Sequence, residues 1–258
     1  MSSSANFAKY IQLGAYHWAG HASAPIRRYD PEMEAHYLSV LKLASRALGG
    51  LEGRTVLDAG CGDGVLLELL ARRGAAAVGL DAERVGLELA RQELEKRTSM
   101  ATLVQGVCQA LPLRSSLMDA VFAVEVIEHL DDPERFLSEA SRLLRPGGVL
   151  VVTTPRRRED GVPRSPLHAR EFTRGELASI ITQFFPRAEV FGFCHPLAVR
   201  ALYGVPGLRD ASLRLFKRFS RAVSNPCAWL VAGAPADRCE SLAGVAWRGG
   251  HDGHGRRG

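Results

Sequence analysis

Three glycines at alternate positions, directly after a short apolar run, constrain this chain's fold more than any other feature. The run covers residues 56–59, and Gly60, Gly62 and Gly64 follow it. A segment with helical periodicity, residues 65–73, comes next. Glycine is needed where a chain turns tightly and a ligand approaches bare backbone. The pattern predicts a strand, a ligand-binding turn and a helix of an open α/β sheet.

Acidic residues narrow the kind of ligand that this turn would bind. A second apolar run ends in Asp81, about 20 residues after the glycines, where a carboxylate can bind a ribose diol. Asp58 precedes the glycines and Asp63 lies among them. Two carboxylates would repel a pyrophosphate but attract an ammonium or sulfonium group. The motif therefore favours a cationic nucleoside ligand over a dinucleotide.

These residues resemble the first motif of the class I S-adenosylmethionine (SAM)-dependent methyltransferases, in the ubiquinone-biosynthesis O-methyltransferase-like branch. The resemblance covers roughly residues 54–194. It implies that SAM is the cofactor and that Asp81 binds its ribose. Val107 stands where many members carry an acid for the adenine, so backbone groups near it would take that role. The cofactor-binding residues implied are Asp58, Gly60, Cys61, Gly62, Asp63, Asp81, Cys108, Gln109 and Glu125.

Short apolar strands alternate with helices after residue 54, which predicts a parallel sheet covered on both faces. The predicted fold class is α/β: a doubly wound, mostly parallel, seven-stranded sheet with an N-terminal helical lid. Predicted strands cover residues 55–59, 77–81, 101–105, 120–124, 149–154, 188–194 and 229–232. Predicted helices lie near residues 65–73, 83–97, 133–144 and 173–184.

The predicted organisation has three parts. Residues 1–50 form a helical cap, in which Asp30 and Pro31 are typical of a helix start. Residues 51–236 form the methyltransferase domain, with an insertion at about 195–226. Residues 237–258 are predicted to be a flexible tail, because residues 249–258 are rich in glycine, histidine and arginine.

Composition limits the partners and the compartment. The chain has 258 residues, a net charge of +5 and five scattered cysteines without a C-x-x-C pair. Reduced thiols and the lack of a signal peptide or an apolar span predict a cytoplasmic protein. The mild positive charge does not call for DNA. Residues 209–223 have a basic face, for which packing on the core is favoured over contact with a membrane surface or RNA.

Histidines and glutamates after two strands are the candidates for chemistry on the acceptor. His129 and His168 are the candidate general bases, because imidazole titrates near neutral pH. Glu125, Glu128, His129 and His168 could instead hold magnesium or manganese, although a metal-free site is favoured. The ubiquinone-biosynthesis enzymes and the small-RNA 2′-O-methyltransferases carry a similar E-x-x-E-H segment.

The leading hypothesis is SAM-dependent O-methylation of a small-molecule, glycan or lipid-type acceptor. Metal-dependent RNA 2′-O-methylation is the first alternative, because of the Glu–Glu–His–His set. A non-catalytic scaffold with the methyltransferase fold is the second alternative. The sequence leaves the acceptor, the methylated atom and the oligomeric state open.

Overall fold

The computed structural model describes residues 8–21, 31–193, 239 and 241–249. Seven strands form one sheet in the order β3-β2-β1-β4-β5-β7-β6, and β7 alone runs antiparallel to its neighbours. The strands are β1 Thr55–Ala59, β2 Ala76–Asp81, β3 Thr102–Gln105, β4 Met118–Val124, β5 Leu144–Pro155, β6 Arg187–Phe193 and β7 Ser241–Trp247. The helices are α1 Ala8–Leu13, α2 Pro31–Leu48, α3 Val65–Ala71, α4 Arg84–Glu95, α5 Pro133–Leu143 and α6 Arg174–Thr182. The predicted doubly wound, mostly parallel sheet is confirmed.

The strand order reverses between β1 and β4, and this reversal positions the site. β1 pairs in parallel with β2 on one side and with β4 on the other. The connections after β1 and β4 therefore diverge above the sheet and leave a crevice at its carboxyl edge. Apolar side chains fill both faces of the sheet, with Phe136 and Phe172 in one core cluster and Leu41 and Phe122 in the other.

The seventh strand lies further along the chain than the sequence pattern indicates. It covers Ser241–Trp247, inside the range predicted to be a flexible tail, whereas residues 229–232 lie outside the described part. β7 is buried on both faces between β5 and β6, so small residues such as Ala243 and Gly244 fit it. A strand that is buried on both faces lacks the alternation of polar and apolar residues that marks a half-exposed strand. Residues 241–247 were therefore assigned to the flexible tail, together with the glycine-rich residues that follow them.

Helical elements precede β1, as predicted. α1 leads into a short 3-10 helix, Tyr16–Gly20, and α2 begins at Pro31. The insertion at residues 195–226 and the basic face of residues 209–223 lie outside the described residues. In the part of the chain that is described, no helix combines the length and apolarity needed to cross a membrane.

Candidate active site

The glycine turn is held against the next strand by its own backbone. Gly60 and Cys61 both donate their N–H groups to the carbonyl oxygen of Leu80, at 2.7 and 3.0 Å. Gly60 has a φ of +81°, a left-handed conformation that side chains other than glycine adopt at a cost. The turn therefore exposes its backbone at the carboxyl edge of β1, where a ligand can approach it.

Asp81 links the two halves of the predicted nucleoside site. Its Oδ2 accepts the N–H of Gly62 at 2.8 Å, and its Oδ1 accepts the N–H of Glu83 at 2.8 Å. Each oxygen keeps a second lone pair for another donor, such as a ribose hydroxyl. The carboxylate therefore stabilises the glycine turn and faces the same cavity as that turn.

A cavity of about 690 Å³ opens above this edge of the sheet. Such a volume lies within the range of small-molecule and cofactor sites. The end next to the glycine turn, called the donor end because the methyl donor SAM is expected there, contains most of the predicted cofactor residues: Asp58, Gly60, Cys61, Gly62, Asp81, Cys108 and Gln109. Its other end contains a mixed apolar and polar set: Met33, His36, Glu125, Val126, His129, Leu130 and Leu167. One continuous space therefore joins the glycine turn to the candidate base His129.

The charge of the cavity suits a cationic ligand. Among the described lining residues, four acids (Asp58, Asp81, Glu125 and Asp131) are set against one lysine, Lys9. Burial raises the pKa of Asp58 to about 8 and that of Glu125 to about 7, and burial also raises the pKa of Asp81. The ionised form of a desolvated acid is stabilised by a nearby positive charge. A sulfonium or ammonium group therefore fits where a pyrophosphate would be repelled.

Binding of such a cation is expected to release protons. Because the pKa of Asp58 is about 8, this carboxyl is largely protonated at pH 7, and a cation beside it favours the ionised form. Affinity for SAM should therefore rise from pH 6 to about 8. Calorimetry in buffers of different ionisation enthalpy measures the protons released. Proton uptake, or an affinity that falls over this interval, would contradict the assignment.

The raised pKa of Asp58 also makes the stability of the ligand-free protein depend on pH. This stability should fall as the pH rises, whereas the affinity for SAM should increase. The folded-state pKa of Asp58 lies above the unfolded value, so the protonated side chain is the one the fold accommodates. The stability contributed below pH 4 is therefore lost as the pH rises through about 8. SAM should reverse this loss, because it supplies the charge that the ionised carboxylate lacks.

Asp63 lies beside the cavity but is not on its wall. Its side chain is 1% exposed, and its two carboxylate oxygens accept the backbone N–H of His17 at 2.9 Å and contact the Nδ1 of His17 at 3.1 Å. The backbone carbonyl of Asp63 accepts the indole N–H of Trp18 at 2.8 Å. In this structure Asp63 contacts the N-terminal residues His17 and Trp18, and its contact with the cofactor stays a prediction.

Glu125 faces a histidine that the sequence interpretation did not single out. His36, on α2, places its Nε2 3.0 Å from the hydroxyl oxygen of Thr153 and 3.7 Å from the Oε1 of Glu125. Glu125 has a φ of +55°, which is rare outside glycine and accumulates at functional sites. The sequence predicted a helix that starts at Pro31, but it did not show which face of that helix would meet the cavity.

Glu128, His129 and His168 form a cluster of their own. One ligand atom of each lies within 4.8 Å of the others, whereas Glu125 does not belong to this group. The Nδ1 of His129 donates to the carbonyl oxygen of Leu167 at 3.0 Å, and the Nδ1 of His168 contacts a carboxylate oxygen of Glu171 at 2.7 Å. Of the two candidate bases, His129 lines the cavity and His168 does not.

This cluster has the features of a divalent metal site. The Oε2 of Glu128 is buried without a hydrogen-bond partner among the described residues. Each histidine keeps its Nε2 for a ligand, since a backbone carbonyl or a carboxylate holds its Nδ1, as is usual for metal-binding histidines. Two imidazoles with one carboxylate suit manganese or zinc better than magnesium, which prefers oxygen ligands. The residues present therefore fit a metal ion.

Comparison with known proteins agrees with this geometry. A family model described as a methyltransferase domain matches residues 57–152. The ubiquinone biosynthesis O-methyltransferase of Sodalis glossinidius is 33% identical over 190 residues, which cover 69% of this chain and 74% of that relative. The protein of the same name from Alkalilimnicola ehrlichii is 37% identical over 138 residues, covering 51% of this chain and 56% of the relative. This chain thus spans little more than half the length of the Alkalilimnicola relative.

Solved structures support the fold. The [4+2]-cyclase SpnF superposes with a TM-score of 0.58 at 21% identity, covering 82% of this chain and 80% of that one. At this identity the likeness concerns the fold alone, and it shows that the fold is not restricted to methyl transfer. The assignment to a family rests on the family model and on the Sodalis relative. The chain belongs to the class I SAM-dependent methyltransferases.

Proposed function

We propose that this protein transfers the methyl group of SAM to a hydroxyl oxygen of a small acceptor. The observation that carries the proposal is the single cavity that joins the glycine turn and Asp81 to His36, Glu125 and His129. A donor bound at one end would direct its sulfonium towards an acceptor at the other end. Because the sulfonium is already activated, alignment of the two reacting atoms supplies much of the rate enhancement.

His129 is proposed to accept the proton of the acceptor hydroxyl. Burial lowers the pKa of His129, which keeps its imidazole neutral at pH 7 and able to accept a proton. The hydrogen bond from its Nδ1 to Leu167 leaves the Nε2 as the basic atom. Neutral His129 therefore has the protonation state and the orientation that general-base catalysis needs.

The acceptor is proposed to be a phenol or catechol with an apolar substituent. Met33, Val126, Leu130 and Leu167 give the acceptor end apolar walls, and its polar groups are those of His36, Glu125 and His129. Two of the relatives named above are ubiquinone biosynthesis O-methyltransferases, which supports a hydroxylated ring as the acceptor. A flat ring with adjacent hydroxyls would place one oxygen towards His129 and its substituent against the apolar walls.

Methyl transfer from isotope-labelled SAM to a panel of small acceptors tests this function. The panel contains catechols and phenols with alkyl chains, together with matched anilines, and mass spectrometry locates the label. The proposal expects an O-methyl product from a catechol or phenol. Label on the aniline nitrogen, or no transfer from protein that binds SAM, would contradict O-methylation while leaving the donor site in place.

Metal assistance is a second proposal, which rests on Glu128, His129 and His168. A bound divalent ion would lower the pKa of a hydroxyl that it coordinates. If a metal is used, His168→Gln should abolish manganese binding and lower turnover at least about tenfold, because one of three protein ligands is lost. Manganese binding by paramagnetic resonance, SAM-product binding by calorimetry and turnover after chelation are the measurements.

The turnover of the His168→Gln variant distinguishes a metal-dependent mechanism from one in which His129 acts without a metal. His168 lies off the cavity wall, so His168→Gln should leave turnover nearly unchanged if His129 acts without a metal. Full turnover in chelator, together with an active His168→Gln variant, would exclude the metal. Manganese-dependent methylation of RNA in place of phenols would support the RNA alternative, since the same cluster is what favours it.

A further inference from the structure

The N-terminal strap, defined as residues 8–21, covers the glycine turn. Tyr10, Tyr16 and His17 from this strap line the cavity together with Asp58 and Asp81. Their rings pack on one another, with centroids 5.5 Å apart for Tyr10 and Tyr16 and 3.9 Å apart for Tyr16 and His17. The strap therefore supplies an aromatic wall to the donor end of the cavity.

Two glycines make room for this wall. A Cβ atom on Gly62 would overlap the hydroxyl oxygen of Tyr10, and one on Gly86 of α4 would lie 3.3 Å from a ring carbon of Tyr10. Gly62 belongs to the glycine turn, so the backbone that the cofactor would approach also contacts the side chain of Tyr10. The absence of a side chain at a glycine of the motif is therefore needed for the strap to lie where it does.

Buried polar contacts fasten the strap to the turn and to α3. Asp63 receives the two His17 contacts and the Trp18 indole described above. Further along, His21 Nε2 lies 2.8 Å from the Oε2 of Glu68, and the two side chains are 2% and 3% exposed. Removing one partner of a buried, hydrogen-bonded charge is costly, so these pairs specify one position for the strap.

The chemistry of the wall suits the ligand assigned to the cavity. Burial and the charges of Asp63 and Asp81 raise the pKa of Tyr16 to about 12, and the same causes raise the pKa of Tyr10. Both phenols therefore stay neutral and keep a hydroxyl that can donate. Their electron-rich faces, beside the carboxylates, favour a cation.

We propose that the strap is the third wall of the SAM site, that Tyr10 and Tyr16 contact the bound cofactor, and that Asp63 is the residue that positions them. This inference rests on the proposed function, since SAM is its ligand. Asp63 then acts through the strap, and its carboxylate need not touch the cofactor.

Affinity and kinetics for S-adenosylhomocysteine (SAH) in the full-length protein test the proposal. In Asp63→Ala and in Tyr10→Leu, the dissociation constant for SAH should rise at least about tenfold, mainly through faster dissociation. In the wild type, SAH should slow amide hydrogen exchange in residues 8–21, and Asp63→Ala should lose this protection. Two variants are used because either alone could destabilise the strap for reasons unrelated to the ligand.

Asp119→Ala is the matched control. Asp119 is also a buried acid that accepts a backbone N–H, that of Thr55 at 2.8 Å, but it lies at the opposite edge of the sheet. The Asp119→Ala variant should be less stable than the wild type and should bind SAH with unchanged affinity. SAH affinities within about twofold of the wild type in Asp63→Ala and Tyr10→Leu, with no protection of residues 8–21, would overturn the inference alone. A wild type that binds neither SAM nor SAH would overturn the proposed function instead.

Discussion

Asp81→Asn should weaken SAH binding by about 30- to 100-fold. The two oxygens of Asp81 accept separate backbone N–H groups, from Gly62 and Glu83. An amide would turn a donor towards one of these N–H groups and would remove the negative charge that we propose faces the ribose. Losing charge-assisted hydrogen bonds of this kind costs about 2–3 kcal/mol, which corresponds to the stated loss of affinity. Calorimetric titration with SAH measures the effect.

The control for this variant is Asp119→Asn. Asp119 accepts the N–H of Thr55 and pairs with Arg145 at 3.2 Å, away from the cavity. Its substitution should lower the melting temperature and leave the SAH affinity unchanged. If both variants lost affinity equally, general destabilisation would explain the loss, and the ribose assignment of Asp81 would be abandoned.

Gly60→Ala should remove most donor binding and destabilise the protein. Gly60 has a φ of +81°, and a Cβ at this position would overlap the Cγ2 of Val126. The left-handed conformation alone costs an alanine about 1–2 kcal/mol, and the overlap adds to this by displacing the turn. Because Gly60 also donates to Leu80 across the turn, SAH affinity should fall at least about tenfold. Chemical denaturation and calorimetry measure the two effects.

Gly147→Ala separates conformational strain from crowding. Gly147 has a φ of +79°, nearly the same as that of Gly60, and a Cβ there would meet nothing within 4 Å. This variant should show only the cost of the left-handed conformation, with SAH affinity unchanged. Equal losses of stability in the two variants would mean that the packing of the turn against Val126 is unimportant.

The donor half of the site could be predicted from the sequence because its determinants are local. The glycine turn and Asp81 belong to one strand–turn–helix–strand unit, and parallel pairing brings the ends of β1 and β2 together. Periodicity and spacing within about 25 residues are sufficient for such a unit. The predicted strands β1 to β6 and the start of α2 at Pro31 are confirmed for the same reason.

The acceptor half depends on contacts between distant segments. His36 meets Thr153 from a helix 117 positions earlier in the chain, and no local pattern brings those two residues together. His168 is close to Glu128 and His129, but its Nδ1 contacts Glu171 and it does not line the cavity. Sequence spacing could group these residue types at one edge of the sheet without showing which of them face the ligand.

Asp63 shows how a motif residue can be located correctly while its contacts are not foreseen. The sequence places it inside the glycine turn, where a carboxylate near a cation is plausible. In the structure its side chain contacts His17, which belongs to the segment that was predicted only to form a helical cap. The partner of a buried acid is decided by tertiary packing, which a local motif does not encode.

Titration calorimetry with SAM and SAH tests the central claim most directly. The account predicts that the folded wild-type protein binds one molecule of either ligand per chain. Binding should be weakened in Asp81→Asn and Gly60→Ala and unchanged in Asp119→Asn and Gly147→Ala. Absence of binding of both ligands by protein with a cooperative unfolding transition would contradict the claim that this cavity is a SAM site.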